Sequence, residues 1–323
     1  MVWNLFLLLG GLILLAVGGE CLVKGAARLA RSLGVPALVV GLTVVAFGTS
    51  SPEIAVSVTA SINDQDDIAV ANVVGSNISN ILLVLGLAAM AAPMKVSRSV
   101  MRFDLPIMVI VLAVFALFAL SSFSHEHGLI SRGQGIFFLV ALLAYLLFTY
   151  RASRRESAAV EHEYEAGIQE SGSRVFNVLL VILGMAALIL GADLIVKGAV
   201  GLASRFLDER VIGLTIIAIG TSLPEMTTCI VAARRGQPDI AIGNIVGSNI
   251  FNILAVIGIA STISPLSVAE IILFRDAPVM LLVGVLSFPI MRTGHCITRK
   301  EGALLVGLYL IYVTWLVLTA GGN

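Results

Sequence analysis

One block of 48 residues occurs twice in this 323-residue chain, 172 positions apart and without a gap. Gly41 to Ala88 reads GLTVVAFGTSSPEIAVSVTASINDQDDIAVANVVGSNISNILLVLGLA; Gly213 to Ala260 reads GLTIIAIGTSLPEMTTCIVAARRGQPDIAIGNIVGSNIFNILAVIGIA. The copies agree at 26 of 48 positions, concentrated in Gly-Thr-Ser-x-Pro-Glu and Gly-Ser-Asn-Ile-x-Asn. A chain duplicated over this length folds as two halves built on one plan. Each copy also sets one glutamate, Glu53 or Glu225, inside an apolar run, where an unpaired charge is costly and marks function.

Hydrophobic residues make up 58% of the chain and charged ones 12%, far from soluble usage and typical of a polytopic membrane protein. Formal charge is zero, which leaves no basic footprint for nucleic acid. Cys21, Cys229 and Cys296 are scattered, form no disulfide or zinc pattern, and read as small hydrophobes. The first 18 residues are apolar without a preceding basic stretch; Lys24, Arg28 and Arg31 follow instead. That pattern reads as an uncleaved first span with its N-terminus outside.

Apolar runs long enough to cross a bilayer fall near 2–18, 36–60, 68–92, 105–122, 133–150, 175–196, 211–233, 239–263, 277–291 and 302–320. The division is a first half at 1–150, a charged linker at 151–174 and a second half at 175–323. Smaller echoes extend the duplication: Glu20-x3-Lys24 returns as Asp193-x3-Lys197, and Asp104-x-Pro106-x-Met108 as Asp276-x-Pro278-x-Met280. Loops after the odd spans hold 15 Lys and Arg, loops after the even spans 5. The richer side is cytoplasmic by the positive-inside rule, so both termini lie outside. Five spans per half then turn the second half upside down. The expected fold is an all-α integral membrane protein of ten transmembrane helices in two inverted five-helix repeats. Its expected location is multi-pass in the cell's inner (plasma) membrane. The linker's mixed charge predicts a solvated cytoplasmic connection.

In Gly48-Thr49-Ser50-Ser51-Pro52-Glu53, Pro52 has no N–H for the Gly48 carbonyl and its ring crowds that carbonyl. A helix broken here exposes main-chain carbonyls at membrane depth, tolerable only against protein or a hydrated cavity. Carbonyls, two hydroxyls and a carboxylate within one turn make an all-oxygen cluster suited to a hard cation such as Ca²⁺. Gly220-Thr221-Ser222-Leu223-Pro224-Glu225 repeats it. On the next span Asn72, Ser76 and Asn80 share one helical face by their i, i+4, i+8 spacing, as do Asn244, Ser248 and Asn252. Gly75 and Gly247 allow a neighbouring helix to approach.

Other polar residues read structurally. Asn72 and Asn244 make interhelical hydrogen bonds. Asp67 and Asp239 read as helix caps. Glu20/Lys24 and Asp193/Lys197 read as i, i+4 ion pairs, and Asp104 and Asp276 pair with Arg102 and Arg275. Glu53 and Glu225 have no such reading, because no Lys or Arg lies inside any span.

Both copies resemble the alpha repeats of the calcium/cation antiporter superfamily, most closely its sodium/calcium exchanger branch and that branch's prokaryotic members. The match covers essentially the whole chain. By motif position the resemblance implies cation ligands at Thr49, Ser50, Glu53, Ser76 and Asn80, with Thr221, Ser222, Glu225, Ser248 and Asn252 opposite them. It adds the carbonyls of Ala46 and Ala218. Some members of the superfamily carry an acid where this chain has Asn252, which weakens a case for K⁺ co-transport.

The leading expectation is Ca²⁺ exchanged for Na⁺ by alternating access, both ions bound as substrates and no cofactor needed. Two ionised glutamates balance one Ca²⁺, and an unloaded carrier would have to move two uncompensated charges through low dielectric. Ca²⁺/H⁺ antiport is the nearest alternative. An intramembrane enzyme using Glu53 and Glu225 is the alternative of another class, but His125, His127, His162 and His295 all lie outside the spans. A channel fits the inverted repeats poorly.

Overall fold

The computed structural model describes residues 2–121, 127–160, 173–203 and 218–320. These run as α1 (Val2–Leu33), α2 (Ala37–Thr49), α3 (Ser51–Ile62), α4 (Asp66–Ala91), α5 (Val100–Ser121) and α6 (Arg132–Val160). The second half comprises α7 (Arg174–Ala203), α8 (Ala218–Thr221), α9 (Leu223–Arg234), α10 (Pro238–Ile263), α11 (Ile272–His295) and α12 (Arg299–Ala320). Eight of these helices are long and apolar enough to span a bilayer, and the pair α2–α3, bent by 44°, makes a ninth. For the bent pair α8–α9, the expected span start at 211–217 lies outside the described residues.

Helix α1 has 32 residues, fifteen beyond the expected first span. Charge at Glu20, Lys24 and Arg31 does not end it, because these are good helix formers whose long side chains reach the interface. The linker is likewise helical as far as Val160. Residues 161–172 lie outside the described set.

Helices α4 and α10 form the centre. The apolar window of α10 is wholly buried inside the molecule and that of α4 is 83% buried, against 17% for α12 and 22% for α6. The outer helices present Ile, Leu and Phe outward, as lipid contact requires. Tight hairpins tie each bent pair to its central helix. After α9, Gly236 takes a left-handed backbone (φ +67°) and the Gln237 amide donates to the Ala232 carbonyl at 2.9 Å. After α3 the repeat-equivalent Asp64 does the same (φ 57°), with the Gln65 amide donating to Ala60 at 2.8 Å.

Helices α1 and α7 pack along their length with backbones in contact. A Cβ built on Gly18 would stand 2.9 Å from the Gly184 carbonyl, and one on Gly191 would stand 2.9 Å from the Gly11 carbonyl. The paired numbers rise on one helix as they fall on the other, so the two run antiparallel.

The fold is not purely helical. Strand β1 (Met94–Lys95) pairs antiparallel with β4 (Cys296–Ile297), and β2 (His127–Ile130) with β3 (Leu266–Ala269). Each ribbon joins a loop of one half to a loop of the other. Loops held against one another satisfy their backbone groups this way, and segments this short carry no periodicity to announce it.

Candidate ion-binding site

The bent pairs break at Ser50 (φ −80°, ψ 4°) and Ser222 (φ −86°, ψ 1°). Pro52 and Pro224 fall in the first turn of the following helix, where a missing N–H costs nothing, so each kink sits upstream of the ring. Thr49 closes α2 and Thr221 closes α8, while Glu53 and Glu225 stand in the first turns of α3 and α9. A helix start carries partial positive charge and a helix end partial negative charge. Each break thus steadies a carboxylate on one side and offers carbonyl dipoles to a cation on the other.

Groups from the two halves meet here although some 175 positions separate them in sequence. The Ser50 hydroxyl donates to Glu225 Oε1 at 3.4 Å, and Ser79 donates to the Ser222 hydroxyl at 3.0 Å. Thr49 Oγ1 donates to Asn244 Oδ1 at 3.0 Å. On α4, Ser76 donates to Glu53 Oε1 at 3.5 Å. Glu53, Glu225, Thr49, Ser50, Ser222, Ser76, Asn80, Ser248 and Asn252 are all buried. Thr221 is half-buried, and Ala218 opens α8. The Ala46 carbonyl accepts the Ser50 amide at 3.0 Å. It also lies 3.4 Å from Thr49 Oγ1, whose single proton goes to the nearer Asn244. One lone pair of that carbonyl is left for a cation.

Among the buried side-chain oxygens without a hydrogen-bond partner in the described residues, which also include those of Tyr145, Thr149, Asn177, Thr228 and Asn249, five belong to the repeated motifs: Glu53 Oε2, Glu225 Oε2, Asn80 Oδ1, Asn252 Oδ1 and Ser248 Oγ. They come from α3, α9, α4 and α10. Neither glutamate is ion-paired with a basic side chain among the described residues. Acceptors buried this way are costly unless a cation or water satisfies them. Hard-oxygen ligands of mixed charge on four helices fit a bound metal cation and fit neither a structural salt bridge nor a nucleophilic site.

Around these ligands Asn72 and Asn244 do as expected, while their partners Ser57 and Cys229 escaped the sequence reading. Asn72 Nδ2 donates to Ser57 Oγ at 3.0 Å and to the Glu53 main-chain carbonyl at 3.4 Å, the interhelical role expected of it. In the other half Asn244 Nδ2 donates to Cys229 Sγ at 3.3 Å. Ser57 and Cys229 occupy equivalent positions and donate to equivalent carbonyls, Ala69 at 3.1 Å and Ala241 at 3.5 Å. Cys229 is therefore a hydrogen-bonding stand-in for serine, not the inert hydrophobe expected. Its only sign in the sequence is the alignment of the two copies. Asn80 and Asn252 each open a π-helical turn, Asn80–Val84 and Asn252–Ile257. Such turns recur at functional sites.

The remaining structural expectations divide. Lys24–Glu20 (3.7 Å), Lys197–Asp193 (2.7 Å) and Arg275–Asp276 (2.9 Å) are ion pairs as expected, and Arg235 also pairs with Glu20. Asp67 and Asp239 do not cap their helices. The cap positions belong to Gln65 and Gln237, and both aspartates lie inside the first turn. Asp66 instead accepts the Ser267 amide at 2.9 Å, tying α4 to β3.

The sequence model for the sodium/calcium exchanger protein family matches residues 3–151 and 176–318. The chain belongs to the sodium/calcium exchanger family. Among its relatives in that family, the inner membrane protein YrbG of Escherichia coli is 40% identical, covering 96% of this chain and 95% of that protein. The sodium/calcium exchanger MaX1 of Methanosarcina acetivorans is 34% identical, over 96% of this chain and 97% of its own. The solved structure of the sodium-calcium exchanger NCX_Mj, soaked with Na⁺ and Sr²⁺, superposes with a TM-score of 0.82 at 31% identity. That match covers 97% of this chain and 98% of the other. Exchanger-family membership makes this a multi-pass membrane transporter and not an enzyme.

Proposed function

We propose that the chain is a secondary antiporter exchanging Ca²⁺ for Na⁺ by alternating access. The observation that carries this reading is the set of five buried, unpartnered oxygens on Glu53, Glu225, Asn80, Asn252 and Ser248. Relatives named as sodium/calcium exchangers support the choice of ions. The ligands are the side chains of Thr49, Ser50, Glu53, Ser76, Asn80, Thr221, Ser222, Glu225, Ser248 and Asn252, with the main-chain carbonyls of Ala46 and Ala218. Two carboxylates balance one Ca²⁺, and Na⁺ competes for the same oxygens. Stripped of both ions, the carrier would have to carry two buried charges across, so the fluxes are coupled.

The finer architecture is ten spans in two inverted five-helix halves. Three observations favour it. Equivalent helices α1 and α7 run antiparallel. Positions 172 apart share breaks, hairpins and π turns, as at Val100–Asp104 and Ile272–Asp276. The two ribbons also exchange equivalent strands, since β1 and β3 follow equivalent central helices. Both termini are placed outside the cytoplasm and the protein in the inner membrane.

The deciding experiment is ⁴⁵Ca²⁺ uptake into proteoliposomes holding the purified protein, with Na⁺, K⁺ or H⁺ gradients applied separately. Uptake driven by an outward Na⁺ gradient is expected. Uptake driven by H⁺ alone, or none under any gradient, would overturn the assignment.

A further inference from the structure

An asparagine can ligate a cation only through its amide oxygen, so a ligating asparagine whose amide turns over presents two N–H groups to the ion instead. Asn252 faces that choice, and its surroundings settle it. Asn252 Nδ2 donates to Asn77 Oδ1 at 3.4 Å, which leaves Asn252 Oδ1 among the unpartnered oxygens of the site. Asn77 would hold it this way only if its own oxygen, and not its NH₂, pointed at Asn252. The third member fixes that. Asn77 Nδ2 lies 3.7 Å from Met280 Sδ, a thioether that accepts and never donates. Asn77, Asn252 and Met280 are all buried.

We infer that Met280 and Asn77 form a polarity relay from α11 through α4 to α10 that locks the Asn252 amide with its oxygen toward the cation. Sulfur turns the NH₂ of Asn77 toward itself, Asn77 turns its oxygen toward Asn252, and Asn252 turns its oxygen to the ion. Asn77 and Met280 are positioning residues; neither touches the cation. The relay accounts for Met280, the last residue of the repeated Asp-x-Pro-x-Met motif, which the site otherwise leaves unused. It also supplies what a neutral ligand needs and a carboxylate does not, since both ends of an aspartate are oxygen. The inference rests on the proposed role of Asn252 as a cation ligand.

The test is a double-mutant cycle on the purified full-length protein, reading the Ca²⁺ dissociation constant by isothermal titration and folding by thermal melting. Asn77→Leu keeps the volume and is expected to weaken Ca²⁺ binding about tenfold, the worth of one lost orienting bond. In an Asn252→Asp background the same substitution is expected to change affinity by less than about twofold, because orientation no longer matters. An equal penalty in both backgrounds would mean that Asn77 acts through packing and would overturn the relay, as would unchanged binding by Asn77→Leu. Should Asn77→Leu fail to fold, Met280→Leu is the substitute. It is expected to weaken binding by a smaller factor that Asn252→Asp again erases, and persistence of the loss overturns the relay. Absence of Ca²⁺ binding by the unmutated protein overturns the exchanger reading itself. Unchanged binding by Asn252→Leu overturns the ligand assignment and the relay with it, and leaves the exchanger reading standing.

Discussion

Glu53 and Glu225 are the two residues on which the site stands or falls. Each is buried, hydrogen-bonded through one carboxylate oxygen to a serine, and bare at the other. Glu53→Gln and Glu225→Gln remove charge and almost no volume. Each is expected to abolish Na⁺-driven Ca²⁺ uptake while the purified protein melts within a few degrees of the original. Retained uptake by either variant would remove that glutamate from the site. These two were legible in the sequence because a charge in an apolar run without a basic partner has few structural uses. Asn72, Asn244 and the i, i+4 ion pairs were legible for the same reason: helical spacing fixes who can meet whom. Cys229 was not. Its thiol acts as Ser57 does only because α9 packs on α10 as α3 packs on α4, a tertiary fact that residue type conceals.

At the scale of elements, the crossing of α2 and α10 brings Thr49 to Asn244. Gly247 makes that approach possible, since a Cβ there would meet the Leu42 carbonyl at 2.6 Å and the Ala46 side chain at 2.7 Å. Backbone cannot yield as a side-chain tip can. Gly247→Val is therefore expected to cost roughly 1–3 kcal/mol of stability and to depress transport further by parting Thr49 from Asn244. Melting temperature and uptake, measured together, check this. The matching crossing for Gly75 would involve 213–217, which lie outside the described residues. The helices themselves were readable from apolar length and the kinks from proline, with the break at Ser50 inside the Gly48–Glu53 motif. The π turns at Asn80 and Asn252 were not readable. They add a residue to one turn, and a 3.6-residue period has no term for that. The ribbons escaped because strands of two to four residues leave no pattern.

For the whole molecule, inversion has a direct test. Asn63 and Arg235 occupy matching hairpins and are both exposed. With Cys21 and Cys296 replaced by serine, Asn63→Cys is expected to react with an impermeant thiol reagent on intact cells, and Arg235→Cys only after the membrane is opened. Labelling of both from one side would refute the inverted arrangement.

The two ribbons also limit what can move. Each stitches a loop of one half to a loop of the other, and together they join the ends of α4, α5, α6, α10, α11 and α12 into one frame. Neither α1 nor α7 carries a stitch. Their mutual face brings glycine backbone to glycine backbone at Gly18–Gly184 and Gly11–Gly191, while Ile195 and Val181 of α7 seat over Gly11 and Gly25 of α1. We propose that α1 and α7 move as one body along this frame, and what must yield is their contact with the α9 hairpin, where Thr227 and Val231 pack on Gly19 and Arg235 pairs with Glu20. On this plan the ions stay in place while the wall slides past them, and a disulfide pinning α1 to α9 is expected to stop the cycle without disturbing the ligands.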